Sequence, residues 1–506
     1  MPDATRSTLN VTRYMSTRSP AATYSFKEAV TSGYAPDRGL FVPAGPLPLF
    51  SPSRLEELRE MSFDDLAFAV LRRFIPPLEV PDSDLVSILS KCYSPFSSAS
   101  RVEVVKPGSC PALISELFHG PTYCFKDLGL SVTCNLISHF TPPTSPAVKT
   151  LCVSTTGDTG PAAVAAVVSS GNPNLRIIAF YPRGQISPFQ RSQMVKYSSS
   201  PQVSVVEFDG GGDDMDAPLK GLQSDPECTA AGICGANSYN IGRPLAQLVQ
   251  FFWTVFRSQD ALSLPTSTPI DIVIPAGALG NTTACFLAKQ TGLPVGKITC
   301  STNANDITHR CFSTGDFSKS AAMEMTLSDA INIQVPYNME RILFYASGMD
   351  HDLIRQWYAN MEETGAIQIP PDFLAKLREV FGSARVDDDR MCRALRDFHA
   401  KHDGYLCCPH TAVAVAAAED LGYLREGAPP CAIMATASPC KFEKAVTTAV
   451  GEEKWLAYRE GPKYPKEAEG GGDLAGVFER GGDDKETNAL WMARTKKMLL
   501  EGLSEN

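Results

Sequence analysis

The stretch that decides the fold runs from Thr150 to Gly171: TLCVS (150–154), TTGDTG (155–160), PAAVAAVVSSG (161–171). A short β-branched run, a turn of glycines and hydroxyls, then an Ala/Val helix is the pattern of a buried parallel strand feeding a helix. The pattern recurs. LRIIAFYP (175–182) follows as a second strand, and DIVIPA (271–276), GALGN (277–281), TTACFLAKQTGLP (282–294) and KITCSTN (297–303) spell strand, turn, helix, strand again. Such alternation predicts an α/β protein built on open, mostly parallel sheets.

Residues 22–105 carry helical periodicity, with Phe63, Leu66, Ala67 and Val70 on one face and turn clusters such as GYAPDRG between segments. They predict a small, mostly helical N-terminal unit. Residues 366–405 read as a helical insertion, and DGGGDDMDAP (209–218) as a surface loop capping the next helix, since it lacks the ligand spacing of a calcium loop. From 451 to 506 the chain is a polar, glycine-rich extension that ends in a predicted helix, NALWMARTKKMLLEGL. The first residues are rich in Ser, Thr and Arg, with Asp3 as the one acid, which leaves a transit peptide open as an alternative. A solvated, disordered arm over 1–13 and a cytoplasmic location are the readings adopted.

The chain has 506 residues, 43% of them hydrophobic, and a formal charge of −10, which argues against nucleic-acid partners. No apolar run approaches the roughly 20 residues of a membrane span. Fifteen cysteines are scattered without CxxC, and seven histidines form no HExxH, so no metal site is expected. The chemistry must come from elsewhere.

Two turns stand out, because a helix N-terminus after a glycine turn aims free backbone N–H groups and positive partial charge at one point. In PAGALGN, Gly277 and Gly280 allow close approach of a ligand and Asn281 can cap the helix; in STTGDTGP, Thr155, Thr156 and Thr159 add hydroxyls. Glycine also serves plain βα packing, so neither turn alone identifies a ligand. Lys126 is the third feature, set among Phe118, Tyr123, Phe125, Leu128 and Leu130. Desolvation favours the neutral amine that a Schiff base needs, although a snorkelling lysine paired with Asp127 would look the same. Together, a lysine and two anion turns in an α/β sheet suggest pyridoxal 5'-phosphate, one turn for its phosphate and the other for a substrate carboxylate.

ELFHGPTYCFKD, STTGDTG, YPRGQISPFQ, ANSYNIGRPLAQ, PAGALGN, STNANDI, CPHTAVAV and ATASPCKF occur in the order seen in threonine synthases, and YMSTRS and GYAPDRGLFVP resemble that family's N-terminal domain. The resemblance covers most of residues 14–450. It implies the type II pyridoxal-phosphate fold, tryptophan synthase β-like, with an N-terminal domain over 14–105 and a catalytic region of two α/β subdomains over 106–450. It also implies action on O-phosphohomoserine, a small phosphorylated amino acid, by a monomer or homodimer. Lys126 matches the Schiff-base lysine; Gly277, Ala278, Leu279, Gly280 and Asn281 match the cofactor turn; Thr436 matches the hydroxyl facing the pyridine nitrogen. Thr155, Thr156, Gly157, Asp158 and Thr159 resemble the loop that grips the substrate carboxylate. Asn237, Ser238 and Arg243 lie in a block associated with substrate contacts, Arg243 being a phosphate ligand or a structural salt bridge.

The chain departs from the family in places. The usual GNFG followed by Asp reads Gly277-Ala278-Leu279-Gly280-Asn281, and the usual Lys of YPRGKIS is Gln185. NIQVPYNMER and GALGN resemble the threonine synthase-like phospho-lyase branch, whereas SFDDLAFAV, FHGPTY and Thr436 resemble fungal synthases. Threonine synthesis from O-phosphohomoserine is the leading expectation. A phospho-lyase releasing a 2-oxo acid, ammonia and phosphate from O-phosphohomoserine or O-phosphothreonine is the alternative, and a non-catalytic protein on the same fold the third.

Overall fold

The computed structural model describes residues 10–466 and 470–501. The arm expected over 1–13 therefore lies largely outside the described residues. Two sheets carry the molecule. In one, the strands run in the order Phe381–Arg385, Val295–Thr302, Ile270–Pro275, Cys431–Ala435, Leu113–Glu116, Glu103–Val105, all parallel except the last pair. The other is wholly parallel: Gly476–Phe478, Val203–Phe208, Leu175–Pro182, Lys149–Ser154, Ile233–Gly235. Both faces of such sheets are covered by helices, which is why the strand sequences run apolar rather than alternating.

The Pro409–Asp420 helix shows the same logic. Pro409 through Ala418 are all buried, so a helix apolar on every face becomes a core element. The N-terminal helices Phe26–Ser32, Pro52–Arg59, Phe63–Leu71 and Asp82–Tyr93 form as expected, the first started by a reciprocal Ser25/Glu28 capping box. One antiparallel pairing, Tyr14–Ser16 with Phe41–Pro43, joins them.

Three expectations need correction. Residues 103–105, expected in the N-terminal unit, pair antiparallel with Leu113–Glu116 as an edge strand of the larger sheet. The segment 366–405 is not wholly helical: Phe381–Arg385 adds in parallel to Val295–Thr302, burying Phe381 against Phe286 and Phe312. The C-terminal extension is part of the fold, since Gly476–Phe478 completes the smaller sheet and the Asp484–Glu501 helix buries Trp491 against Phe208. Among the described residues, no helix is long and apolar enough to cross a membrane.

Candidate active site

One open cleft is lined by residues that follow strands of both sheets. Lys126, Thr156, Asp158, Thr159, Asn237, Ser238, Arg243, Gly277, Ala278, Leu279, Gly280, Asn281 and Thr436 all line it. Thr155 and Gly157 do not. Thr155 is buried with its hydroxyl accepting the Gly157 N–H at 3.0 Å, and Gly157, at φ +132°, lies against Gln190 where a Cβ would clash. These two shape the turn from behind.

Lys126 opens the Lys126–His139 helix. Its ammonium makes no hydrogen bond or ion pair among the described residues, and burial lowers its pKa below the usual lysine value, with Asp158 opposing. Pairing with Asp127 is ruled out by geometry: Asp127 is buried and accepts from the Thr122 N–H (2.8 Å) and hydroxyl (2.6 Å). The segment before the lysine is pinned to the end of the Cys431–Ala435 strand, Phe125 N–H donating to Thr436 O at 2.8 Å, which brings the Thr436 side chain into the same cleft.

The GALGN turn sits at the N-terminus of the Gly280–Gln290 helix. Leu279 holds φ +58°, a left-handed conformation that costs a branched residue roughly 1–2 kcal/mol. Strain of this kind gathers at functional sites. A Cβ on Gly280 would come within 2.8 Å of Ser238 Cβ, and one on Gly277 within 3.3 Å of Ile331 Cγ2, so a side chain at either position would press on residues that line the cleft. Asn281 is buried; its Oδ1 accepts from Gln250 Nε2 at 2.5 Å, leaving Nδ2 without a partner.

Arg243 makes no ion pair among the described residues, which speaks against the structural-salt-bridge alternative. Its Nη1 donates to Ala236 O at 3.0 Å while its buried Nε has no acceptor, and burial pulls its pKa down to about 10. Gln247, one turn along the Gly242–Ala261 helix, is buried with both amide atoms unsatisfied. Arg243 and Gln247 both line the cleft, so these polar atoms are available to a ligand there.

The sequence reading missed several groups. Lys441, fully buried, pairs with Asp158 at 2.8 Å. His410 accepts the Ala330 N–H at Nε2 (3.0 Å), and burial lowers its pKa to about 4. The loop read as a surface cap contributes Gly212, Asp213 and Asp216 to the cleft, and no side chain caps the Asp216–Gln223 helix. Burial pushes Asp213 up to about 6, against the N–H it accepts from Gln334. A histidine inside an apolar helical run, CPHTAVAV, and a lysine in ATASPCKF were the available signals.

Comparison with known proteins matches residues 13–93 to the model described as threonine synthase N terminus and 411–475 to threonine synthase, C-terminal. The chain is 34% identical over 437 residues to threonine synthase-like 2 of Pongo abelii, and 32% identical over 464 residues to threonine synthase of Saccharomyces cerevisiae. Each alignment covers 86% of this chain and 89% of the relative. The chain belongs to the threonine synthase family. The PLP-bound threonine synthase of Brucella melitensis superposes with a TM-score of 0.81 at 28% identity, covering 96% of this chain and 99% of that one, so the type II fold expected from the resemblance is the fold observed. Relatives named threonine synthase and relatives named threonine synthase-like 2 stand at near-equal identity, so family membership by itself leaves the product open.

Proposed function

We propose that the chain is a pyridoxal 5'-phosphate-dependent carbon–oxygen lyase acting on O-phosphohomoserine, with threonine and phosphate as products. The observation that carries this reading is the convergence in one cleft of Lys126, unpaired and partly desolvated, with the N-termini of the Thr159–Ser170 and Gly280–Gln290 helices. The residues suit the cofactor: Gly277 and Gly280 keep backbone amides accessible, and Asn281 Nδ2 is an unmatched donor beside them. Lys126 would hold the cofactor covalently, and Thr436 would face its ring nitrogen. Bound there, pyridoxal phosphate supplies an electron sink for carbanions next to the substrate amine.

The chain's own groups do the rest. Thr156, Asp158 and Thr159 form the turn for the substrate carboxylate, and Arg243 with Asn237 and Ser238 offers a positive, hydrogen-bonding wall to the phosphoryl group. Lys126 would also move protons at Cα and Cβ of the substrate, in a reaction that loses phosphate from Cγ and adds water at Cβ. His410 stays neutral throughout the physiological range and fixes the Ala330 backbone that borders the Gly277 turn.

One observation favours a second reading, a phospho-lyase releasing a 2-oxo acid and ammonia. Ala278 and Leu279 give the cofactor turn no polar side chain with which to hold an intermediate until water adds. The deciding assay follows phosphate, threonine and 2-oxobutyrate together from O-phosphohomoserine. Threonine matching phosphate supports the synthase, 2-oxobutyrate matching phosphate supports the lyase, and absence of phosphate release removes both.

A further inference from the structure

Asp158 occupies the N-cap position of the Thr159–Ser170 helix yet makes no side-chain cap hydrogen bond. Aspartate there ordinarily accepts an N–H of the first turn. Here Oδ1 is taken by two donors from outside, Lys441 Nζ at 2.8 Å and Gln190 Nε2 at 3.0 Å. Lys441 is itself completely buried, and its second bond goes to Thr122 O at 3.0 Å. Its position is fixed by the short Pro439–Lys441 turn, whose cap Ser438 accepts from Cys440 N–H. The pair also ties the two sheets together, since Asp158 follows a strand of the smaller sheet and Lys441 a strand of the larger.

A buried ion pair gives little net stability, because desolvating both charges offsets their attraction. Here Asp158 stands in the wall of a cleft whose turn is read as an anion site, with Lys441 behind it. Left to itself, Asp158 would either cap its own helix or face the ligand with an uncompensated negative charge. We propose that Lys441 is a positioning residue that holds and neutralises Asp158, so that the amides opening the Thr159–Ser170 helix remain available to a substrate carboxylate. The proposal rests on the carboxylate role given to that turn above. The electrostatics agree with the geometry: burial raises the Asp158 pKa, but Lys441 and Lys126 overcome it and hold the carboxyl well below its usual range.

The test titrates the cofactor-loaded enzyme with L-alanine and with ethylamine, an amine without a carboxylate, and reads half-saturation from the cofactor's visible absorbance. Lys441→Met should weaken L-alanine roughly ten- to hundred-fold, the range for losing a charge-assisted contact, and leave ethylamine unchanged. That loss should shrink as pH falls and the unpaired Asp158 takes up a proton. The double variant Lys441→Met/Asp158→Asn should bring L-alanine back toward the parent value. Asp158→Asn alone, which leaves the lysine charge uncompensated, should tighten L-alanine, and this sign holds the proposal to account even where Lys441→Met does not fold. Equal weakening of both amines, or a double variant no better than the single, overturns the role of Lys441 while leaving the carboxylate turn intact. A parent enzyme that treats both amines alike overturns the turn itself and the inference with it. Because L-alanine carries no phosphate, neither result depends on O-phosphohomoserine being the substrate.

Discussion

Lys126 should be the residue whose loss removes chemistry without removing the fold. Lys126→Ala deletes an amine that makes no structural bond among the described residues, so thermal unfolding should stay near the parent value while the visible cofactor band and turnover disappear. Turnover near the parent rate would place the chemistry on another lysine. Gly280→Ala is the complementary case: its new Cβ meets Ser238 Cβ at 2.8 Å, and the shift it forces should weaken cofactor affinity in equilibrium titration. His410 links this scale to pH. Its pKa is about 4 in the fold against an ordinary 6.5, so between those values the unfolded chain binds the extra proton, and stability falls as pH drops through that window by up to about 3 kcal/mol. Denaturant titrations of His410→Gln should show a shallower acid limb there. Turn residues such as Gly277, Gly280 and Thr156 were legible because their role is local. Lys441 and His410 were not, since a buried polar side chain declares itself only through partners distant in sequence, here Asp158 and the Ala330 N–H.

Among elements, the long strand–turn–helix units were readable, and the three-residue strands were not. Glu103–Val105 and Gly476–Phe478 are too short for any periodicity and exist because a neighbouring edge offers them hydrogen bonds. The C-terminal helix matters through one such edge. Trp491 packs on Phe208, and a Cβ on Gly210 would lie 2.9 Å from its ring, so the helix braces the loop that sends Gly212 and Asp213 into the cleft. Trp491→Ala should cost about 3–5 kcal/mol and raise KM, by loosening that loop. An unchanged KM in a destabilised variant would confine the helix to scaffolding. The cofactor turn is the other element to vary: restoring Asn and Phe at positions 278 and 279 should raise the ratio of threonine to 2-oxobutyrate. A fixed ratio with altered turnover would limit the turn to holding the cofactor.

At the scale of the molecule, the N-terminal unit is tied to the catalytic sheets through buried arginines. Arg341, wholly inaccessible, donates to Phe41 O at 3.0 Å, Tyr239 O at 2.6 Å and Ser238 O at 3.2 Å, joining the N-terminal pairing to a wall of the cleft. Arg18 reaches Glu340 and Glu362 in the same region. Arg341→Leu strands several buried carbonyls at once, each costing about 1–3 kcal/mol, and should lower Tm and cofactor affinity together. Loss of Tm with full cofactor affinity would show that the two units act separately. No sequence pattern announces such a tie.

All fifteen cysteines are free and buried, and they sit on both sheets, in the N-terminal helices at Cys92 and in the late helical segment at Cys392. A buried thiol meets an alkylating reagent only when its surroundings open, so each cysteine is a reporter whose labelling rate measures the local opening free energy. Timed alkylation followed by peptide mass spectrometry would thus chart which parts of the native protein breathe together. Cys124, two residues before Lys126, would show directly how far a bound ligand quiets the cleft.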